Sequence, residues 1–62
     1  MNYIDWVPIE QISQIISNAE KNKWKEAHIL DALEYIVYNG EITYDDIESI
    51  NEEVVIEKLA DN

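Results

Sequence analysis

Apolar residues recur every three or four positions through most of this chain, and one glycine interrupts them. That pattern narrows the accessible folds to helical ones. Ile9, Ile12, Ile15, Ile16 and Ala19 follow Pro8 with the period of an amphipathic helix. They predict a helix over residues 8–22, with Pro8 at the first helical position, where its missing N–H leaves no bond unmade. Lys21, Lys23 and Lys25 suit the negative end of that helix, and Asn22 marks its break. A second helix is predicted from Glu26 to Tyr38. Ala27, Ile29, Leu30, Ala32, Leu33, Tyr35, Ile36 and Val37 make it apolar around more than half its circumference, so it reads as the central one.

Asn39-Gly40 then stops the second helix, because both residues tolerate the left-handed conformation common at helix C-termini. Glu41-Ile42-Thr43 is too short for an independent strand. Thr43 followed by Asp46 resembles a capping box, which predicts a short helix over residues 44–50. Ser49 with Glu52 repeats the spacing and predicts a last helix over 51–60, with Val54, Val55, Ile56 and Leu59 as its apolar side. The expected fold is therefore all-α: a single small domain, residues 1–62, of three to four short helices, with at most a vestigial strand at 41–43. Its expected core is Ile12, Ile16, Ile29, Leu33, Ile36, Ile47, Val55 and Leu59, and Trp6 is expected to staple the N-terminal segment onto the helices.

Sixty-two residues leave room for one small core, and burying only about 60% of the extended-chain surface makes such a domain marginal. Dimerisation through leftover apolar surface is one expected remedy. The chain has no cysteine, which excludes disulfides, thiolate zinc sites and cysteine nucleophiles together and points to the cytoplasm. Neither a signal peptide nor a membrane-spanning run is expected from its hydropathy. Eleven isoleucines and no arginine fit an A/T-rich genome, as in many Gram-positive bacteria and their phages.

Charge is the other strong constraint. Fourteen acids against four lysines give a net charge of −10. Residues 1–25 are balanced, so the entire excess lies in residues 26–62, where eleven acids face Lys58 alone. Four lysines cannot neutralise a run of phosphates, which argues against direct nucleic-acid binding and against anionic membranes. Solubility alone could account for an acidic surface; a sharper reading is that it meets a basic site on another protein.

Catalytic and metal motifs are weak. Asn39 to Asp46 looks like the second half of a calcium loop, but Tyr35 and Val37 stand where its first carboxylates belong, and Asp46 stands where the closing Glu belongs. His28 is the only imidazole and has no cysteine or second histidine beside it in sequence. Ser13, Ser17 and Ser49 lack a glycine-framed elbow, and one glycine makes no phosphate cradle. No enzyme activity, catalytic residue, metal or cofactor is expected.

Residues 27–36 together with Asn39-Gly40-Glu41-Ile42-Thr43-Tyr44-Asp45-Asp46-Ile47 and the run from Ser49 to Leu59 resemble the opening of bacterial winged-helix or helix-turn-helix domains. The resemblance implies a trihelical scaffold. It departs at the helix that would enter the DNA groove, which bears Glu52, Glu53 and Glu57 with only Lys58. The expected function is accordingly that of a small acidic regulator or inhibitor docking on the basic, nucleic-acid-binding surface of a larger protein. A phage or mobile-element factor that mimics DNA charge against a host enzyme is the narrower form. Asp45, Asp46, Glu48, Glu52, Glu53 and Glu57 are the expected docking acids, with Tyr38 and Tyr44 as aromatic anchors. The alternative is a helical dimer or adaptor that binds through apolar faces and carries its acids for solubility.

Overall fold

The computed structural model describes residues 8–60. They form three helices, α1 (Ile9–Asn22), α2 (Glu26–Asn39) and α3 (Tyr44–Ala60), and the fold is all-α with no strand among the described residues. Connections of three and four residues turn each helix back along the previous one. Two bonds fix the resulting up-down-up arrangement. At one end Lys58 Nζ donates to the Asn22 carbonyl at 3.1 Å, joining the last turns of α3 and α1. At the other, Ile42 N–H donates to Gln11 Oε1 at 2.7 Å, joining the α2–α3 loop to the first turn of α1.

Local chemistry explains most of the helix ends. Pro8 is the N-cap of α1 rather than its first helical residue, and its carbonyl accepts from Ile12 N–H at 2.9 Å. Thr43 and Asp46 form the capping box of α3: Asp46 N–H donates to Thr43 Oγ1 at 3.2 Å, and Thr43 N–H to Asp46 Oδ2 at 3.0 Å. At α2, His28 takes the place usually held by Glu or Gln, its Nδ1 accepting from the Lys25 N–H at 3.1 Å.

Both helix stops use left-handed residues, Gly40 at φ 86° after α2 and Lys23 at φ 60° after α1. Gly40 has that conformation at no steric cost, whereas a lysine side chain is strained by on the order of 1 kcal/mol. Lys23→Gly is therefore expected to stabilise the fold by about 0.5–1 kcal/mol. Gly40→Ala should cost about 1 kcal/mol, all of it in the backbone, because a Cβ there meets nothing within 4 Å. Chemical denaturation midpoints, shifted in opposite directions, check the pair.

Two expectations for the C-terminal half are corrected. The predicted helices at 44–50 and 51–60 are one continuous helix. Ile47, Ile50 and Val54 lie at i, i+3 and i+7 on a single buried stripe, which a break at Ser49 to Asn51 would have disrupted. Residues 41–43 form no strand; Ile42 is 6% exposed and closes one end of the core.

The core also differs from the expected set. It consists of Ile15, Trp24, Ala32, Ile42, Ile47, Ile50 and Val54, with Ala19, Ile29, Tyr35 and Ile36 packed against it. Ile47 is in the core, and Ile29 and Ile36 lie at its edge, as half-buried Ile12 does not. Ile16, Leu33, Val55 and Leu59 are instead exposed, by 53%, 36%, 55% and 69%. In three of these cases the neighbour one residue earlier, Ile15, Ala32 or Val54, points inward. Polar residues share the interior stripe and shift it: Asn18, Asn22 and Asn51 are half-buried, and His28 is 4% exposed. The expectation for Trp6 lies outside the described residues.

Candidate functional site

Where α2 and α3 run side by side, a groove of about 270 Å³ opens, lined by Asp31, Glu34, Tyr35, Tyr38, Asn39, Ser49, Ile50 and Glu53. Helical spacing explains its make-up. Asp31, Glu34, Tyr35 and Tyr38 are at i, i+3, i+4 and i+7 on α2, so they form one stripe, and Ser49 and Glu53 are one turn apart on α3. Three carboxylates thus border a cleft with two phenol rings. Tyr35 is half-buried in its wall, while Tyr38 is 78% exposed at its rim.

The remaining α3 acids divide into two sets. Asp45, Glu48 and Glu52 lie at i, i+3 and i+7 on the side of α3 facing away from the core, and all three are exposed. This outer stripe turns apolar towards the C-terminus, where Val55, Ile56 and Leu59 stand in solvent. The other acids are held by neighbours. Asp46 is half-buried and caps its own helix, and Glu57 bonds His28.

His28, Glu53 and Glu57 place ligand atoms within 4.8 Å of one another, the described cluster most like a metal centre. Its hydrogen bonding favours another role. Because Nδ1 of His28 accepts from the Lys25 amide, the neutral ring carries its proton on Nε2 and donates it to Glu57 Oε1 at 3.1 Å. A metal at Nε2 would need Nδ1 protonated and the amide bond given up, and Lys25 Nζ already lies 4.0 Å from the same carboxylate oxygen. The cluster ties α2 to α3 at the base of the groove.

The fold also sorts charge along the bundle. Lys21 and Lys23 end α1, Lys25 precedes α2, and Lys58 reaches the Asn22 carbonyl, so all four lysines gather at one end. The opposite end holds Glu10, Glu41, Asp45 and Asp46. Tyr44 is there too, 75% exposed beside Ile9, Gln11 and Ile42.

Of the residues expected from sequence, Tyr38 and Glu53 meet in the groove. Asp45, Glu48 and Glu52 lie on the outer face, Asp46 and Glu57 are engaged in hydrogen bonds, and Tyr44 is at the acidic end. Sequence reasoning weighed Tyr35 beside Tyr38 and Tyr44 as a surface tyrosine but passed over Asp31 and Glu34, although Asp31-x-x-Glu34-Tyr35-x-x-Tyr38 is a legible one-face pattern on α2. No helix among the described residues is long and apolar enough to cross a membrane. Comparison with protein families, with curated proteins and with solved structures finds no match to this chain.

Proposed function

We propose that this chain is a small acidic regulator that docks on the basic, nucleic-acid-binding surface of a larger protein, with the α2–α3 groove as its central contact. The observation that carries this reading is the juxtaposition of Asp31, Glu34 and Glu53 with Tyr35 and the exposed Tyr38. A partner's Arg or Lys entering the groove meets carboxylates for charge-assisted hydrogen bonds and a ring face for its cation. Asp45, Glu48 and Glu52 extend the charge outwards. At 1.5 Å of rise per residue they place three carboxylates over about 10 Å, or one per ~5 Å, of the same order as one phosphate per ~3.4 Å along a DNA strand. In the narrower form, the partner is a host enzyme whose nucleic-acid channel the chain occupies.

Binding of this kind is steep in salt and competitive with DNA. Immobilised protein exposed to lysate of its source or host cell should retain a nucleic-acid-handling protein that elutes well below 1 M salt and is displaced by added duplex DNA. Glu34→Gln combined with Glu53→Gln should release that partner at lower salt. Retention that resists high salt, survives excess duplex or ignores the double substitution would overturn the reading, as would binding of the chain itself to duplex DNA at low salt.

A further inference from the structure

We infer that the α1–α2 face, on the side away from α3, is the interface of a homodimer in which two copies pack antiparallel. This goes beyond the groove reading and involves a different face.

The placement follows from the contacts that orient each helix. On α1, Asn18 and Asn22 bond Asn51 of α3, so that flank faces α3; Ile12 and Ile16, roughly a quarter of a turn or more round, lie on the flank towards α2, and Ile9, one turn before Ile12, ends that row near Ile42 and Tyr44. On α2, His28 and Tyr35 mark the flank facing α3, and Leu30, Leu33 and Val37 lie on the flank towards α1. Both sets have the i, i+3, i+7 spacing of a helix-packing seam, and they border the same α1–α2 boundary. Ile9, Ile16, Leu30, Leu33 and Val37 are nevertheless 66%, 53%, 53%, 36% and 72% exposed.

The exposed area comes close to what a second copy needs. At roughly 150 Å² for a fully exposed aliphatic residue, these five side chains leave about 400 Å² per copy, or ~800 Å² across a two-fold interface before any flanking residue is added. A specific interface begins near ~1,000 Å², so these five side chains supply most of that area and the residues flanking them must supply the rest. The acidic groove and outer stripe are on α3 and on the opposite flank of α2, so this face can approach its mate without bringing them together.

Charge selects the orientation. The lysine end has Lys21, Lys23 and Lys25 against Glu20 and Glu26 around the α1–α2 turn, whereas the other end has Glu10, Glu41, Asp45 and Asp46. Parallel pairing would set acidic end against acidic end. Antiparallel pairing sets each acidic end beside the partner's lysines.

Sedimentation equilibrium of the full chain over a concentration series should show its mass rising from 7.3 kDa to twice that value. Val37→Glu should weaken self-association at least tenfold with the helical circular dichroism signal intact, while Ile56→Glu, on the outside of α3, should leave it unchanged. Orientation is read from single cysteines in this cysteine-free chain. Ile16→Cys, near the middle of α1, should crosslink to its mate on mild oxidation, and Val37→Cys, near one end of α2, should not. A chain monomeric throughout overturns the inference, as does an association that Ile56→Glu abolishes and Val37→Glu spares. Crosslinking by Val37→Cys but not Ile16→Cys overturns the antiparallel arrangement.

Discussion

Ile15→Ala is expected to destabilise the fold by about 3 kcal/mol, and Ile16→Ala by less than about 1 kcal/mol. Ile15 is 1% exposed and is the one large side chain among the described residues that the bundle encloses completely, whereas its neighbour is 53% exposed. Truncating Ile15 removes contacts with all three helices' shared interior and leaves a cavity that short helices pinned at both ends have little freedom to close. A domain of this length has a total stability of roughly 3–9 kcal/mol, so the Ile15 variant should be near the edge of folding. Its melting temperature should drop by about 12–24 °C, on a scale of some 4–8 °C per kcal/mol for a small domain. Thermal melts of the two variants, at one protein concentration low enough to keep the chain monomeric, check this. Equal losses would mean that α1 is rotated from the arrangement described.

That pair also shows how much of the fold was legible in the sequence. The all-α class, the Asn39-Gly40 stop and the Thr43–Asp46 cap could be read because each depends on residues within one turn of another, whereas the continuity of α3 through Ser49 to Asn51 could not. Nor could the rotation of each helix. Apolar residues stand side by side at Ile15 and Ile16, at Ala32 and Leu33, and at Val54 and Val55, so periodicity alone allows either member to face inward. The deciding residues are polar. An apolar count places Asn18, Asn22, Asn51 and His28 on the solvent side, yet the asparagines satisfy one another between α1 and α3, His28 bonds Glu57 between α2 and α3, and no buried side-chain nitrogen or oxygen among the described residues lacks a partner.

The candidate site was legible to the same degree. The excess of acid on α3 is a property of composition and could be read directly. The contribution of Asp31 and Glu34 depends on α2 lying beside α3, and that adjacency follows only once loop lengths and the core fix the packing. Glu57 looked equivalent to Glu48 and Glu52 in sequence. Its hydrogen bond to His28 gives it a structural role that composition does not reveal, whereas the Thr43–Asp46 cap already set Asp46 apart.

Asn51→Leu is the second substitution with a large expected effect, despite replacing a polar side chain by an apolar one of similar size in a largely apolar setting. Asn51 Oδ1 accepts from Trp24 Nε1 at 2.7 Å and from Asn22 Nδ2 at 3.1 Å, and its Nδ2 donates to Asn18 Oδ1 at 3.1 Å. Leucine leaves the indole N–H of a Trp that is 8% exposed with no acceptor from α3, and it takes a partner from each asparagine. At about 1–3 kcal/mol for each buried group left unpaired, the loss should reach about 3 kcal/mol. Asn51→Asp keeps both acceptor bonds but replaces the donor with a carboxylate oxygen facing Asn18 Oδ1, so its cost should be about 1–2 kcal/mol. The network also settles a choice that hydrophobicity leaves open, since α3 could present Val55, Ile56 and Leu59 inward about as readily as Ile47, Ile50 and Val54. With Asn51 replaced by leucine, the rotated packing no longer buries an unpaired amide, so the variant's thermal transition should broaden as well as shift. A melt of Asn51→Leu as sharp and as high as that of the parent chain would show that packing alone sets the rotation of α3.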